Sequence, residues 1–138
     1  MNEFNLNKKY NWETAHNPIV KKYVADLYQD GTATAPIATE LFNNTGLYFT
    51  YDYIAPGVYV VICNKDIFTS PYGQKYQVSI SNNTYINDVT AVPPTGYNII
   101  AGPGFTNIIF ITSSDLTAPA DGIIGNGVQN TLELTIYP

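Results

Sequence analysis

The sequence predicts an all-β protein: a single antiparallel β-sandwich, jelly-roll-like, of about eight strands over residues 19–138, preceded by a short N-terminal arm over 1–18. Three observations carry that prediction. Apolar runs of strand length recur along the chain, turn residues punctuate them at close intervals, and the composition suits a pleated surface. The 138 residues include 15 Asn, 15 Thr and 12 Tyr. β-Branched and aromatic side chains pack on a pleat, while Asn tolerates turn geometry.

The arm, "MNEFNLNKKYNWETAHNP", holds the sole Trp and the sole His and closes at Pro18. A short helix over 5–15 is expected there, with Phe4, Leu6, Tyr10 and Trp12 as a docking set. The next segment, "IVKKYVADLYQ", carries a conflict. Ile19, Val20, Tyr23, Val24, Leu27 and Tyr28 recur at helical spacing, but a strand places Tyr23, Ala25 and Leu27 on one face. The strand is the better reading, because Asp30-Gly31 ends it with turn chemistry and all that follows reads as β. "TATAPIATELFNNTG" then stops at Pro36, resumes through Phe42 and breaks at Asn43-Asn44-Thr45-Gly46. It is expected to be a crossover strand, with Pro36 where no backbone donor is needed.

Further strands are predicted at 37–42, 47–54, 58–63, 76–81, 85–89, 107–112 and 131–137. Between them stand Asn-Thr-Gly, Ala-Pro-Gly, Ser-Pro-Tyr-Gly, Ser-Asn-Asn, Pro-Pro-Thr-Gly, Gly-Pro-Gly and Ala-Asp-Gly. "YFTYDYIAPGVYVVI" reads as a hairpin around Ala55-Pro56-Gly57. In the last strand Leu132, Leu134 and Ile136 alternate with Glu133, Thr135 and Tyr137, the pattern of a sheet wet on one side. "GYNII" and "AGPGF" read as glycine-bearing turns.

Charge narrows the function. Charged residues are 12% of the chain, there is no Arg, and from Tyr23 onward two lysines face nine carboxylates. Nucleic acid is not an expected partner, since phosphate neutralisation needs clustered Lys and Arg. No apolar run approaches the ~20 residues that span a bilayer, and no apolar leader segment is evident, so neither membrane insertion nor a signal peptide is expected. Cys63 is the only cysteine and sits in a strand-like run, which makes it a core thiol and excludes an intrachain disulfide.

Catalytic patterns find little purchase. His16 is the only histidine and lies on the arm, so neither a Ser-His-Asp triad nor a zinc site is expected. The glycine turns lack a Gly-Lys-Ser/Thr ending, which leaves phosphate binding without support. Asp115 and Asp121, with Ser113 and Ser114, could offer oxygen ligands to a hard cation, but no ligand spacing is met and a solvated loop is the simpler reading. Asn43-Asn44-Thr45 and Asn82-Asn83-Thr84 match the glycosylation pattern no more often than the Asn, Ser and Thr content produces by chance. No enzymatic activity, cofactor or metal is expected. Tyr48, Tyr51, Tyr53 and Tyr59 crowd one hairpin, where they serve as a subunit interface, a glycan-stacking platform or cross-strand pairs.

The ordered series Tyr23-Ala25-Leu27-Gln29, Gly31-Thr32, Ala35-Pro36-Ala38-Thr39, Asn44-Thr45-Gly46 and Gly57-Tyr59 resembles small virion structural proteins of Bacteroidetes-infecting phages, crAss-like and related. The ending "DGIIGNGVQNTLELTIYP" is similar to that family's tail, so the likeness covers about half the chain. Tyr48-Phe49-Thr50-Tyr51 departs from the family's Trp-Thr step, and residues 1–18 look like an addition. The resemblance implies a minor capsid, decoration or fibre component located in the virion after synthesis in the host cytoplasm. Its implied partners are other virion proteins and further copies of itself, a trimer above all. A host-surface glycan bound through exposed tyrosines is the alternative.

Overall fold

The computed structural model describes residues 19–68, 75–81, 84–85, 98–115, 117–126 and 128–138. Among these residues nine strands form and no helix. They are β1 (Lys21–Tyr28), β2 (Ile37–Asn43), β3 (Phe49–Ala55), β4 (Val58–Cys63), β5 (Lys75–Ile80), β6 (Thr84–Tyr85), β7 (Asn98–Pro103), β8 (Ile108–Ser114) and β9 (Val128–Tyr137). One sheet runs β2-β1-β9-β5, with the two-residue β6 also paired to β9; the other runs β3-β4-β8-β7. All pairings are antiparallel. The predicted sandwich is the fold.

The strand reading of residues 21–28 holds against the helical spacing. Tyr23, Ala25 and Leu27 are buried and face Leu134, Leu132 and Asn130 across the β1–β9 ladder. Val24 and Tyr28, which made the pattern look helical, lie on the outer face. The decision comes from β9, whose apolar alternation supplies the partner that a strand requires and a helix could not use.

Residues 37–43 correct the crossover expectation. β2 is hairpinned directly onto β1, pairing Tyr28 with Ile37 and Tyr23 with Asn43, and forms the edge of its sheet. Pro36 is buried one residue before the strand, where its missing N–H removes no ladder bond. The chain crosses between sheets only afterwards, through residues 44–48. The register slips at Val24/Ala25, so Leu41 is an extra residue in β2 and Glu40 lands on the inner face opposite Ala25. A bulge and an inward charge on an edge strand both disfavour pairing with another chain.

A second correction concerns residues 98–103. "NIIAGP" is not a turn but β7, paired with β8 from Asn98–Ser114 to Pro103–Ile109. Gly102 and Pro103 are tolerated because β7 is an edge. The strand expected over 85–89 lies outside the described residues except for Tyr85.

The core lies between the sheets. Tyr23, Leu27, Leu132, Leu134 and Ile136 from one meet Tyr59, Val61, Cys63, Ile109 and Ile111 from the other, with Ile67, Ile123 and Ile124 closing the ends. Cys63 is a buried free thiol. Tyr23 stacks on Phe49 with ring centroids 3.9 Å apart, which ties the β1 face to β3.

Four polar side chains fix the loops. The Gln29 amide, 2% exposed, donates to the Thr32 and Thr34 carbonyls and accepts from the Gly31 and Gly122 N–H groups. It thus locks the 30–36 loop and joins it to the 121–122 turn. Asn43 accepts from the Thr45 N–H and hydroxyl and donates to the Leu47 carbonyl, shaping the crossing to the second sheet. Buried Asn130 donates to the Ser81 carbonyl and accepts from Gly125 N–H. Asp121 is the fourth.

Candidate functional site

The Ala55-Pro56-Gly57 hairpin forms as expected and presses against the loop that follows β8. Gly57 adopts φ +69°, and its carbonyl accepts from Ser113 N–H at 2.8 Å. A Cβ there would lie 2.3 Å from the Ser113 carbonyl oxygen and 2.5 Å from the Ala120 nitrogen. Only glycine permits this approach, in conformation and in space.

The approach brings Asp121 beneath the hairpin. Its Oδ1 accepts from Gly57 N–H at 2.8 Å and from the Tyr59 hydroxyl at 2.6 Å, and its Oδ2 accepts from the Tyr53 hydroxyl at 3.1 Å. Burial by itself would raise this carboxyl, but the three donors outweigh it and hold it below the usual carboxylate range. Burial, then the carboxylate it bonds, pushes each phenol up. Asp115 is occupied elsewhere: it accepts from the N–H groups of Thr117 and Ala118 and from the Thr117 hydroxyl. The loop's two carboxylates therefore do not converge on a shared cation. Among the described residues no group of three His, Cys, Asp or Glu side chains gathers in metal-binding range.

The four hairpin tyrosines have separate fates. Tyr59 is 0% exposed and belongs to the core, so it offers no ring to a partner. Tyr53 is its register partner, with ring centroids 6.0 Å apart, and shares its carboxylate. Tyr51 points inward and hydrogen-bonds the Tyr23 hydroxyl at 2.8 Å; burial first, then that bond, raises its pKa. Tyr48 alone stands free in solvent, 76% exposed, with its backbone N–H donating to Asn64 Oδ1 at 2.9 Å. Three of the four are inward because the strand period puts 49, 51 and 53 on the core side with Tyr59. The proposed arm residues Phe4, Leu6, Tyr10 and Trp12, the helix over 5–15 and His16 lie outside the described residues.

A shallow cleft of about 130 Å³ opens at one end of the sandwich between Lys21, Thr45, Leu47, Lys65, Asp66, Ile67 and Ile136. Ligand pockets for small molecules run to ~300–1,000 Å³. This cleft is well below that.

The surface feature that sequence reasoning missed is the outer face of the β3-β4-β8-β7 sheet. Three rows cross it: Thr50, Ile62 and Ile108; Asp52, Val60, Phe110 and Gly102; and Val58, Thr112 and Ile100. Ile54 and Ile100 are each 56% exposed, and Asp52 is the one charged side chain in these rows. The Phe110 ring lies over Gly104, where a Cβ would meet it at 2.2 Å. The signal was present in "VYVVIC" and "IIFIT", which are apolar continuously instead of alternately. Such runs mark strands that are covered on both faces.

Among the described residues no helix is long and apolar enough to cross a membrane. No protein-family model matches the chain, and neither a curated protein nor a solved structure shows significant similarity to it.

Proposed function

We propose that this chain is an assembly subunit, a virion structural protein of the minor capsid, decoration or fibre type that its sequence resembles, working by self-association and display. The observation that carries the reading is the collection of large apolar side chains on outward sheet surfaces. Ile54 on edge strand β3, Ile100 on the opposite edge strand β7 and Phe105 in the turn after it belong to one sheet, and Ile37, Leu41 and Phe42 to the edge strand of the other, all half-exposed or more. Contiguous apolar surface on a folded domain marks contact with other macromolecules. The buried polar side chains Gln29 and Asn130, and Asp121 beside them, are bonded within loops, an arrangement that stiffens a scaffold. The glycan alternative, on this hairpin, rests on Tyr48 as its stacking ring.

Two measurements test the reading together. Light scattering on a sizing column should give the full-length protein a mass near three times 15.2 kDa. Peptide mass spectrometry of gradient-purified virions from an infected host should find the chain in constant ratio to the major capsid protein. Its absence from virions refutes the virion role.

A further inference from the structure

Resting on the glycan reading of Tyr48, we infer that the cleft at the end of the sandwich seats the carboxylate of an acidic sugar between Lys21 and Lys65. The sugar is a uronic or sialic acid residue of a larger glycan, with the Tyr48 ring against its pyranose.

Charge points to the ligand. The chain has a net charge of −5 and no Arg. Among the described residues, Lys22 is paired with Glu133 at 2.9 Å, whereas Lys21 and Lys65 form no ion pair and both line this cleft. Asp66, the one carboxylate in its wall, accepts from the Thr106 hydroxyl at 3.0 Å and bonds neither lysine. The cleft therefore keeps an excess positive charge on an acidic chain, which attracts a single negative group. One excess charge is too few for a nucleic-acid backbone.

The walls are built before any ligand arrives. Lys21 opens β1 opposite Ile136. The 44–48 crossing is tied to that corner: Lys22 N–H donates to Asn44 Oδ1 at 2.6 Å, and Asn44 N–H to the Lys22 carbonyl at 3.1 Å. The loop carrying Lys65 is tied to the crossing in turn. Tyr48 N–H bonds Asn64 Oδ1, and Asn64 N–H donates back to the Tyr48 carbonyl at 3.1 Å. Ile67 N–H holds the loop's far end to the Thr106 carbonyl at 2.6 Å. Walls fixed in this way lose little freedom on binding.

The same bonds select a sugar over a peptide. Peptides dock by adding a strand to free backbone groups. Here the N–H groups of Asn44, Thr45, Leu47, Tyr48, Asn64 and Ile67 are all bonded within the chain. What is left for a ligand is side chains: two ammonium groups and, directly after Leu47, a tyrosine ring 76% exposed. An aromatic face accepts the C–H face of a pyranose, and the phenol tip adds a hydrogen bond. At about 130 Å³ the cleft holds one carboxylate and the edge of its ring, while the rest of the glycan runs outside. Affinity for one sugar is then millimolar, and repeated display on an assembly converts it into firm attachment.

The test is an NMR titration of the full-length protein at low salt with the methyl glycosides of glucuronic acid, N-acetylneuraminic acid and glucose. One or both acids should shift the amide signals of Thr45, Leu47, Lys65 and Ile67, and the one that binds names the source; methyl glucoside should not. Lys21→Gln and Lys65→Gln remove exposed side chains, so the fold tolerates both, and each should weaken binding about two- to fivefold. Lys22→Gln, the same loss of charge outside the cleft, should leave binding unchanged. Tyr48→Ala should weaken the sugar acids and leave any acetate binding as it was. Acetate or inorganic phosphate binding as tightly as the sugar acids would overturn the proposal in favour of an unspecific anion site. A hexaglutamate peptide binding more tightly than either sugar would make the partner a protein and overturn it too. Methyl glucoside binding that depends on Tyr48 but on neither lysine overturns the acidic site and leaves the glycan reading standing. No binding by any sugar overturns both.

Discussion

Replacing Asp121 with Ala and with Asn separates two things this carboxylate does. Asp121→Ala removes the acceptor for Gly57 N–H and for the Tyr59 hydroxyl, on two residues that are both buried. An unmet buried donor costs about 1–3 kcal/mol, so the pair costs about 3 kcal/mol. Tyr53 is half-buried and finds water, adding little. With an unfolding entropy of ~2.1 cal/mol/K per residue, a chain of this length loses about 3.4 °C per kcal/mol, giving a fall of about 10 °C. Asp121→Asn keeps Oδ1, to which both buried donors point, and sets its amide against the Tyr53 oxygen. Its cost is that of exchanging an ionised acceptor for a neutral one, about 1 kcal/mol or about 3 °C. Differential scanning calorimetry at pH 7 reads both. The folded carboxyl lies below its unfolded value of ~3.9, so its ionised form stabilises the fold above that pH and ceases to as pH falls through the folded value. The gap between wild type and Asp121→Asn should therefore close below about pH 4. Alanine and asparagine variants melting within about 2 °C of each other would refute the account.

Two glycines of similar φ should respond differently to alanine. Gly57→Ala forces a Cβ into the Ser113 and Ala120 backbone and should abolish folding or cost more than about 4 kcal/mol. Gly46→Ala, at φ +75° with nothing within 4 Å, should cost only the left-handed strain of about 1–2 kcal/mol; urea unfolding midpoints compare the two, and equal losses would dismiss the close-approach argument. Alkaline stability should fail from the tyrosines. Burial first raises Tyr51 and Tyr59, so their neutral forms favour the fold fully below the unfolded value of ~10, and stability declines as pH rises past it. Absorbance at the phenolate band should show a group of tyrosines that ionises only with loss of near-ultraviolet circular dichroism. A single normal titration of all twelve would contradict the buried positions.

Much of the architecture was legible because it is written in period and punctuation. Alternation in residues 131–137, the Ala-Pro-Gly hairpin and the Asp-Gly stop after Gln29 each rest on local chemistry. Where the reading went astray, the deciding term was non-local. Residues 98–103 look like a turn because Gly102 and Pro103 disfavour central strands, and only the place of β7 at a sheet edge makes them acceptable. The path of residues 37–43 depends on which strand accepts them, and no local signal names β1.

The candidate site divides in the same way. The sequence by itself determined that the chain is β, that its surface is poor in charge, that Gly57 sits in a turn, and that "VYVVIC" and "IIFIT" are apolar on both sides. Tertiary structure decided that Asp121 closes on Gly57 and Tyr59 from 64 and 62 positions away, that Tyr59 faces the core while Tyr48 faces water, and that Val58, Val60, Ile62, Ile108 and Phe110 share the outer face of one sheet. The physical reason is range. Backbone propensity and side-chain period act over a few residues, whereas a part-buried carboxylate's partners and a sheet's second face are fixed by which segments the packed core brings together.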